Sequence, residues 1–273
     1  MTTTEKTTID KVSTTGGLII TAIVVGFGMF LVGFDANLFF FGGAFIFSII
    51  KVSPFMLGIA SSGFAVGITI FSLIGGYVFD RITTRNGIII SLAIISVFST
   101  LTGFAGNQYE VVAFRFLVGF GTGMIQPEIS AFLGDLRPNL RATLIATAAV
   151  SFNLGLAVSP LIFAKFSTVS SFDVPFMLAG ISGLALILIT IFLIPSKYKP
   201  KEKPSKGILG NMNKSLLLAS LSYLFFGIAF FAYNSYFTAY ITSSGIAPML
   251  NIVKRKPTAV PIHGSSTLSC EKA

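Results

Sequence analysis

Arg115-Phe116-Leu117-Val118-Gly119-Phe120-Gly121-Thr122-Gly123 is the stretch on which the fold turns. One arginine stands in an otherwise uncharged apolar run over about 111–127, and glycines follow it at alternate positions. On a helix, Gly119 and Gly123 share a face with Arg115, so a neighbouring backbone can come close while the guanidinium points into a bundle. An arginine at such a depth needs a polar cavity or a partner. Unpaired, it costs roughly 2.5–3.5 kcal/mol at a bilayer centre even on the lenient insertion scale. Both features belong to a membrane helix packed among others.

The rest of the chain agrees. Of 273 residues, 53% are hydrophobic and 11% charged, against roughly 25% charged in a soluble domain. Too few polar side chains remain to cover a water-soluble globule, so most of the surface faces lipid. Cys270 is the only cysteine, which excludes an intrachain disulfide. Ten-residue segments of alternating polarity, the mark of a membrane β-barrel, are absent. Runs poor in Asp, Glu, Lys and Arg outline seven spans, at 17–41, 54–79, 86–105, 109–133, 142–163, 176–194 and 215–241. The first extends as helix toward 50, and the second starts with Ser53 as cap and Pro54 in the first helical position. The apolar run after the threonine-rich start is too long for a signal peptide. The expected fold class is an all-α membrane protein, a six-helix bundle plus a seventh transmembrane helix. Its expected parts are a tail at 1–16, the bundle at 17–194, a basic linker at 195–214, helix seven at 215–241 and a polar basic tail at 242–273.

Lys and Arg set the orientation. With the N-terminus cytoplasmic, Lys6, Lys11, Arg81, Arg85, Arg137, Arg141 and the six lysines of 195–214 all lie inside. The net charge of +9 is then mostly topology and not a nucleic-acid surface. The expected location is the cell membrane, multi-pass. A six-helix bundle, a basic linker and a further helix is the organisation of a transporter built from two parallel halves.

Three local patterns sharpen this. Gly76, Asp80, Arg81 and Arg85, in the turn between spans two and three, place a carboxylate beside two guanidiniums where charge-assisted bonds can latch helix ends. This loop resembles the GxxxDRxGRR signature of the major facilitator superfamily, with Thr83 and Thr84 where Gly and Arg are usual. The Arg115 stretch resembles the superfamily's RxxxGxGxG run, and Pro127, Asp135, Pro138 and Arg141 are similar to the P-x7-(D/E)-x2-P-x2-R spacing of its sugar-porter and metabolite:proton symporter branches. Gly155 through Ser159-Pro160 is a weaker echo of an antiporter motif that lacks its downstream glycines. The resemblance implies a secondary transporter for a sugar or organic acid, working by alternating access with proton symport.

Gly33-Phe34-Asp35 resembles the first-helix aspartate of proton-coupled sugar porters. At 1.5 Å per residue Asp35 lies roughly 26 Å from the start of span one, and Arg115 lies about a turn inside span four, so both fall in the outer half of the bilayer. If they meet, a proton competes with the guanidinium for the carboxylate, while burial opposes the charge. That balance would load and release a proton, and it makes Asp35 and Arg115 the expected coupling pair. Gly63 and Gly67 on span two offer a small-residue ridge to match Gly119 and Gly123. Asn37, Gln126, Asn153, Tyr233, Asn234 and Tyr236 are candidates for a substrate path, each also able to serve as an interhelical hydrogen bond. Glu128 is expected near the cytoplasmic mouth, with Arg81, Arg85, Arg137 and Arg141.

Catalysis fails on inventory. The only His is His263 and the only Cys is Cys270, both in the polar tail, so no cofactor, no metal site and no enzyme are expected. No phosphate-cradling G-x4-GK[ST] loop is present. Expected partners are a small-molecule substrate, protons and the lipid bilayer. A seven-helix receptor shares only the helix count, since the charge bias puts the N-terminus inside and span seven has no lysine for a Schiff base. Beyond 247 the composition turns polar and basic, with Lys254-Arg255-Lys256. That tail would emerge on the outside, so the chain is expected to be truncated after the seventh helix. An inactive transporter, or a half-transporter needing a second chain, is the alternative.

Overall fold

The computed structural model describes residues 15–50, 53–79, 82–136, 138–166 and 173–194, and isolated positions 218, 221, 222, 225, 229, 230 and 233. Six helices follow one another: α1 Thr15–Ile50, α2 Pro54–Phe79, α3 Thr84–Gly103, α4 Gln108–Leu136, α5 Arg141–Phe166 and α6 Val174–Leu193, with a 3-10 turn Pro138–Leu140 before α5. All six are long and apolar enough to cross a membrane. No strand occurs among the described residues. The polar tails, the basic linker and the seventh span at 215–241 lie outside the described residues, apart from those isolated positions.

Local chemistry sets the helix ends. The Met56 N–H donates to the Ser53 hydroxyl at 3.2 Å, capping α2 one residue before Pro54. α3 stops at Gly103, two residues before the expected end. There the Phe104 N–H turns back to the Leu101 carbonyl at 3.1 Å, and Asn107 begins to cap the next helix. Asn107 Oδ1 accepts from the Tyr109 and Glu110 N–H groups, each at 3.0 Å. Glu110 reaches back to the Gly106 N–H at 2.8 Å and to Asn107 Nδ2 at 2.6 Å. This reciprocal cap satisfies the free donors at the start of α4.

α4 packs against α2 and α3, α1 packs against α5 and α6, and α3 packs on α6. α1 and α4 are the most enclosed helices, whereas α2 and α5 leave most of their length uncovered. Glycines make the two closest crossings. A Cβ on Gly67 would stand 2.5 Å from the Phe116 carbonyl, and one on Gly123 would stand 2.5 Å from that of Ile68; Gly119 abuts the Phe64 carbonyl. The backbones of α2 and α4 therefore touch along the face that carries Arg115. Gly63 meets the same helix more loosely: a Cβ there would lie 4.0 Å from Phe116 Cβ and from the Val112 carbonyl. On the other side Gly33 abuts the Phe152 carbonyl and Gly155 the Phe30 carbonyl, joining α1 to α5.

Buried apolar side chains form two clusters. One gathers Val25, Met29, Val32, Leu92, Ile95, Val118 and Ile125. The other gathers Phe34, Leu38, Phe39, Ala105, Val111 and Phe176. Along each of α1, α3 and α4 the boundary between them falls at one level, between residues 32 and 34, 95 and 105, and 111 and 118. Polar residues occupy that level.

Candidate functional site

Asp35 from α1, Ser99 from α3 and Arg115 from α4 meet at the boundary between the clusters. Asp35 and Arg115 are each 1% exposed and Ser99 is 0% exposed, so water does not screen them. Arg115 Nη2 lies 3.4 Å from both carboxylate oxygens of Asp35. That is longer than the 2.7–2.9 Å typical of a charge-assisted bond. The Ser99 hydroxyl donates to Asp35 Oδ1. The guanidinium carbon lies 4.9 Å from the Phe39 ring centroid and 5.9 Å from that of Phe64, a distance at which ring faces attract a cation. Arg115 Nε has no hydrogen-bond partner among the described residues.

Sequence explains why this pair is isolated. Asp35 is the only charged residue of α1, and α2 and α6 carry none. α3 carries only Arg85, and α5 only Arg141 and Lys165 at its ends. Arg115 is thus the one charge near mid-helix able to answer Asp35. Ser99 escaped the reading of motifs because a helical serine ordinarily bonds its own preceding turn. The available signal was the set of hydroxyl residues on α3, of which Thr84, Ser91, Ser96, Ser99 and Thr102 are buried.

Of the substrate-path candidates, four fall among the described residues. Asn37 Nδ2 donates to the Leu156 carbonyl at 2.7 Å. That carbonyl is four residues before Pro160, which lies inside α5 and has no N–H to bond it. Gln126 is half-buried, with its backbone carbonyl accepting from Ser130 at 2.9 Å. Asn153 is exposed and bonds its own helix at Ala149, at 2.8 Å. Tyr233 is exposed; Asn234 and Tyr236 lie outside the described residues. A small cavity between Val25, Ile88, Ile125 and Leu186 contains none of them.

At the charged end of the bundle, Gly76 sits in the last turn of α2, while Asp80, Arg81 and Arg137 lie outside the described residues. Arg85 is half-buried at the start of α3, and Arg141 is exposed and lies across Gly134. Glu128 is buried and Asp135 half-buried on α4. Among the described residues no group of three or more His, Cys, Asp or Glu is arranged to hold a metal ion.

Comparison with known proteins adds three findings. The family model described as Major Facilitator Superfamily matches residues 25–254. The hexuronate transporter of Bacillus subtilis (strain 168) is 26% identical over 197 residues, 70% of this chain and 47% of that protein. The 4-hydroxybenzoate transporter PcaK of Acinetobacter baylyi is 27% identical over 144 residues, 52% of this chain and 32% of that protein. A solved bacterial homolog of the human lysosomal transporter Spinster, inward-facing and unoccupied, superimposes with a TM-score of 0.69 at 15% identity. The superposition covers 85% of this chain and 57% of that one, a likeness of fold. The chain spans less than half the length of these two curated relatives.

Proposed function

The chain belongs to the Major Facilitator Superfamily, and from that premise we propose that it carries the coupling half of a secondary transporter that moves a small organic acid in symport with protons. The observation that carries the proposal is the buried Asp35–Arg115 pair, with Nη2 3.4 Å from both oxygens and no other charge at its level. A proton taken by Asp35 cancels its attraction for Arg115 and frees α1 from α4; losing the proton restores the tie. Alternating access rocks one bundle against another around a midplane site, and a protonation within the first bundle that differs in free energy between the two states biases that equilibrium.

An organic acid is favoured over a neutral sugar because hexuronate and 4-hydroxybenzoate, named for the two relatives, are both carboxylates. Alternating access also requires a second bundle. The uncovered lengths of α2 and α5 are the surfaces such a bundle would use, supplied by this polypeptide or by a second chain. In this reading the N-terminus is cytoplasmic in the cell membrane. Gly76, Asp80, Arg81, Arg85, Glu128, Asp135 and Arg141 form a charged gate at the cytoplasmic end.

The test uses proteoliposomes loaded against a proton gradient, with labelled hexuronate or 4-hydroxybenzoate. Asp35→Asn is expected to lose gradient-driven accumulation while retaining exchange of labelled for unlabelled substrate. Accumulation at the wild-type level in Asp35→Asn would overturn proton coupling at this site.

A further inference from the structure

Ser99 behaves unlike its neighbours on α3. Thr100 donates to the Ser96 carbonyl at 2.8 Å and Thr102 to the Phe98 carbonyl at 2.7 Å, each returning its hydroxyl to its own helix. Ser99 instead sends its hydroxyl across to Asp35 Oδ1, at 0% exposure. We infer that Ser99 is a positioning residue that serves Asp35 in both of its protonation states.

The chemistry of the hydroxyl allows this. A serine oxygen donates one hydrogen and accepts two. Toward the charged carboxylate, Ser99 donates, as the structure shows. Once a proton from the aqueous side adds to Asp35, the carboxylic O–H donates to Ser99 Oγ. The serine hydrogen then swings to the Ile95 carbonyl, one turn back on α3, the arrangement Thr100 and Thr102 already use. No covalent bond of Ser99 is made or broken, and Ser99 never carries the transported proton.

Arg115 cannot fill this role, because a guanidinium only donates. The described hydrogen bonds of Asp35 go to Arg115 and Ser99 alone, so Ser99 Oγ is the acceptor in place for the protonated acid, whose buried O–H would be costly to leave unpaired. Ser99 therefore gives the neutral acid a partner at the moment the ion pair is lost. The charged groups that bear on Asp35 are few. Arg115 faces it from α4, while Glu110, Glu128 and Asp135 stand elsewhere on that helix. Arg85 on α3 and Arg141 and Lys165 on α5 lie at helix ends, and α2 and α6 contribute none.

The inference deepens the coupling proposed above and depends on it only for its consequence in transport. The full chain is reconstituted in vesicles of phosphatidylethanolamine and phosphatidylglycerol and titrated by infrared difference spectroscopy. The carbonyl stretch of protonated Asp35 is assigned as the band lost in Asp35→Asn. In Ser99→Ala that band is expected at higher frequency, since the acid has lost its acceptor. Ser99→Thr, which keeps the hydroxyl, is expected to restore the wild-type band. An unchanged band in Ser99→Ala, or a Ser99→Thr protein that behaves like Ser99→Ala, would overturn the inference. A Ser99-dependent band in a protein whose Asp35→Asn variant still accumulates substrate supports Ser99 and removes the coupling reading. Accumulation lost in Asp35→Asn with a Ser99-independent band removes Ser99 and leaves the coupling. An Asp35 that shows no acid band at any pH removes both.

Discussion

The crossing of α2 with α4 and the crossing of α1 with α5 are made by the same device and finished differently. In both, glycines let one backbone rest on carbonyls of the other: Gly67, Gly119 and Gly123 in the first, Gly33 and Gly155 in the second. The second adds a side-chain bond, Asn37 to the Leu156 carbonyl at 2.7 Å. Pro160 supplies the free acceptor, since it removes the N–H that would otherwise close that turn. One crossing thus rests on shape, and the other on shape plus a polar tie. Asp35 belongs to the second crossing and Arg115 to the first, so their ion pair joins the two. A bundle built this way holds each crossing by backbone contact and links the two through one buried ion pair.

Removing the join is expected to have the largest effect. Arg115→Leu leaves Asp35 buried without its counter-charge, and losing one partner of a buried pair costs about 3–5 kcal/mol. Adding Asp35→Asn should recover most of that loss, because no unpaired charge remains. Unfolding in detergent micelles, followed by helical circular dichroism, measures both. If single and double variants are equally destabilised, the ion pair does not hold the crossings together and Arg115 contributes chiefly through its packing between Phe39 and Phe64.

The next effect separates glycines that touch from one that does not. Gly67→Ala puts a methyl group 2.5 Å from the Phe116 carbonyl, and forcing atoms into a packed interface costs about 1–3 kcal/mol. Gly63→Ala, four residues away on the same helix, meets its first neighbour at 4.0 Å and should stay within about 0.5 kcal/mol of the parent. Equal losses at the two positions would mean that the close approach at Gly67 does not set the cost, since helix propensity by itself favours alanine over glycine.

These positions also show what the sequence could and could not disclose. The six spans were legible because charge is excluded from lipid, and the Asp35–Arg115 pair because Asp35 is the lone charge of its helix and Arg115 the lone cation of its own. Gly119 and Gly123 were legible from their four-residue spacing beside Arg115. Gly63 faces the same helix at a looser 4.0 Å, a difference that spacing cannot show, since it gives the face of a helix but not how tightly a partner packs on it. Gly33 and Gly155 lie far apart in the chain, and nothing local says that their helices touch. Ser99 was hidden for a related reason: its default acceptor is its own helix, and only the approach of α1 offers a better one. Asn37 could be recognised as a polar residue within a span, but its partner is a backbone carbonyl released by a proline on another helix.

The smallest effect tests the polar tie itself. Asn37→Ala removes one interhelical hydrogen bond, for which measured values in membrane proteins average about 0.6 kcal/mol and reach about 1.7 kcal/mol. Pro160→Ala restores an N–H that can bond the Leu156 carbonyl within α5. In that background the carbonyl is satisfied without Asn37, so Asn37→Ala should cost less than it does beside Pro160. The comparison is a double-mutant cycle, and its coupling term isolates the shared carbonyl from the separate effects of the two substitutions. A coupling term of zero would show that Asn37 and Pro160 act independently. The α1/α5 crossing would then lack a coupled hydrogen-bond tie, and the difference between the two crossings would disappear.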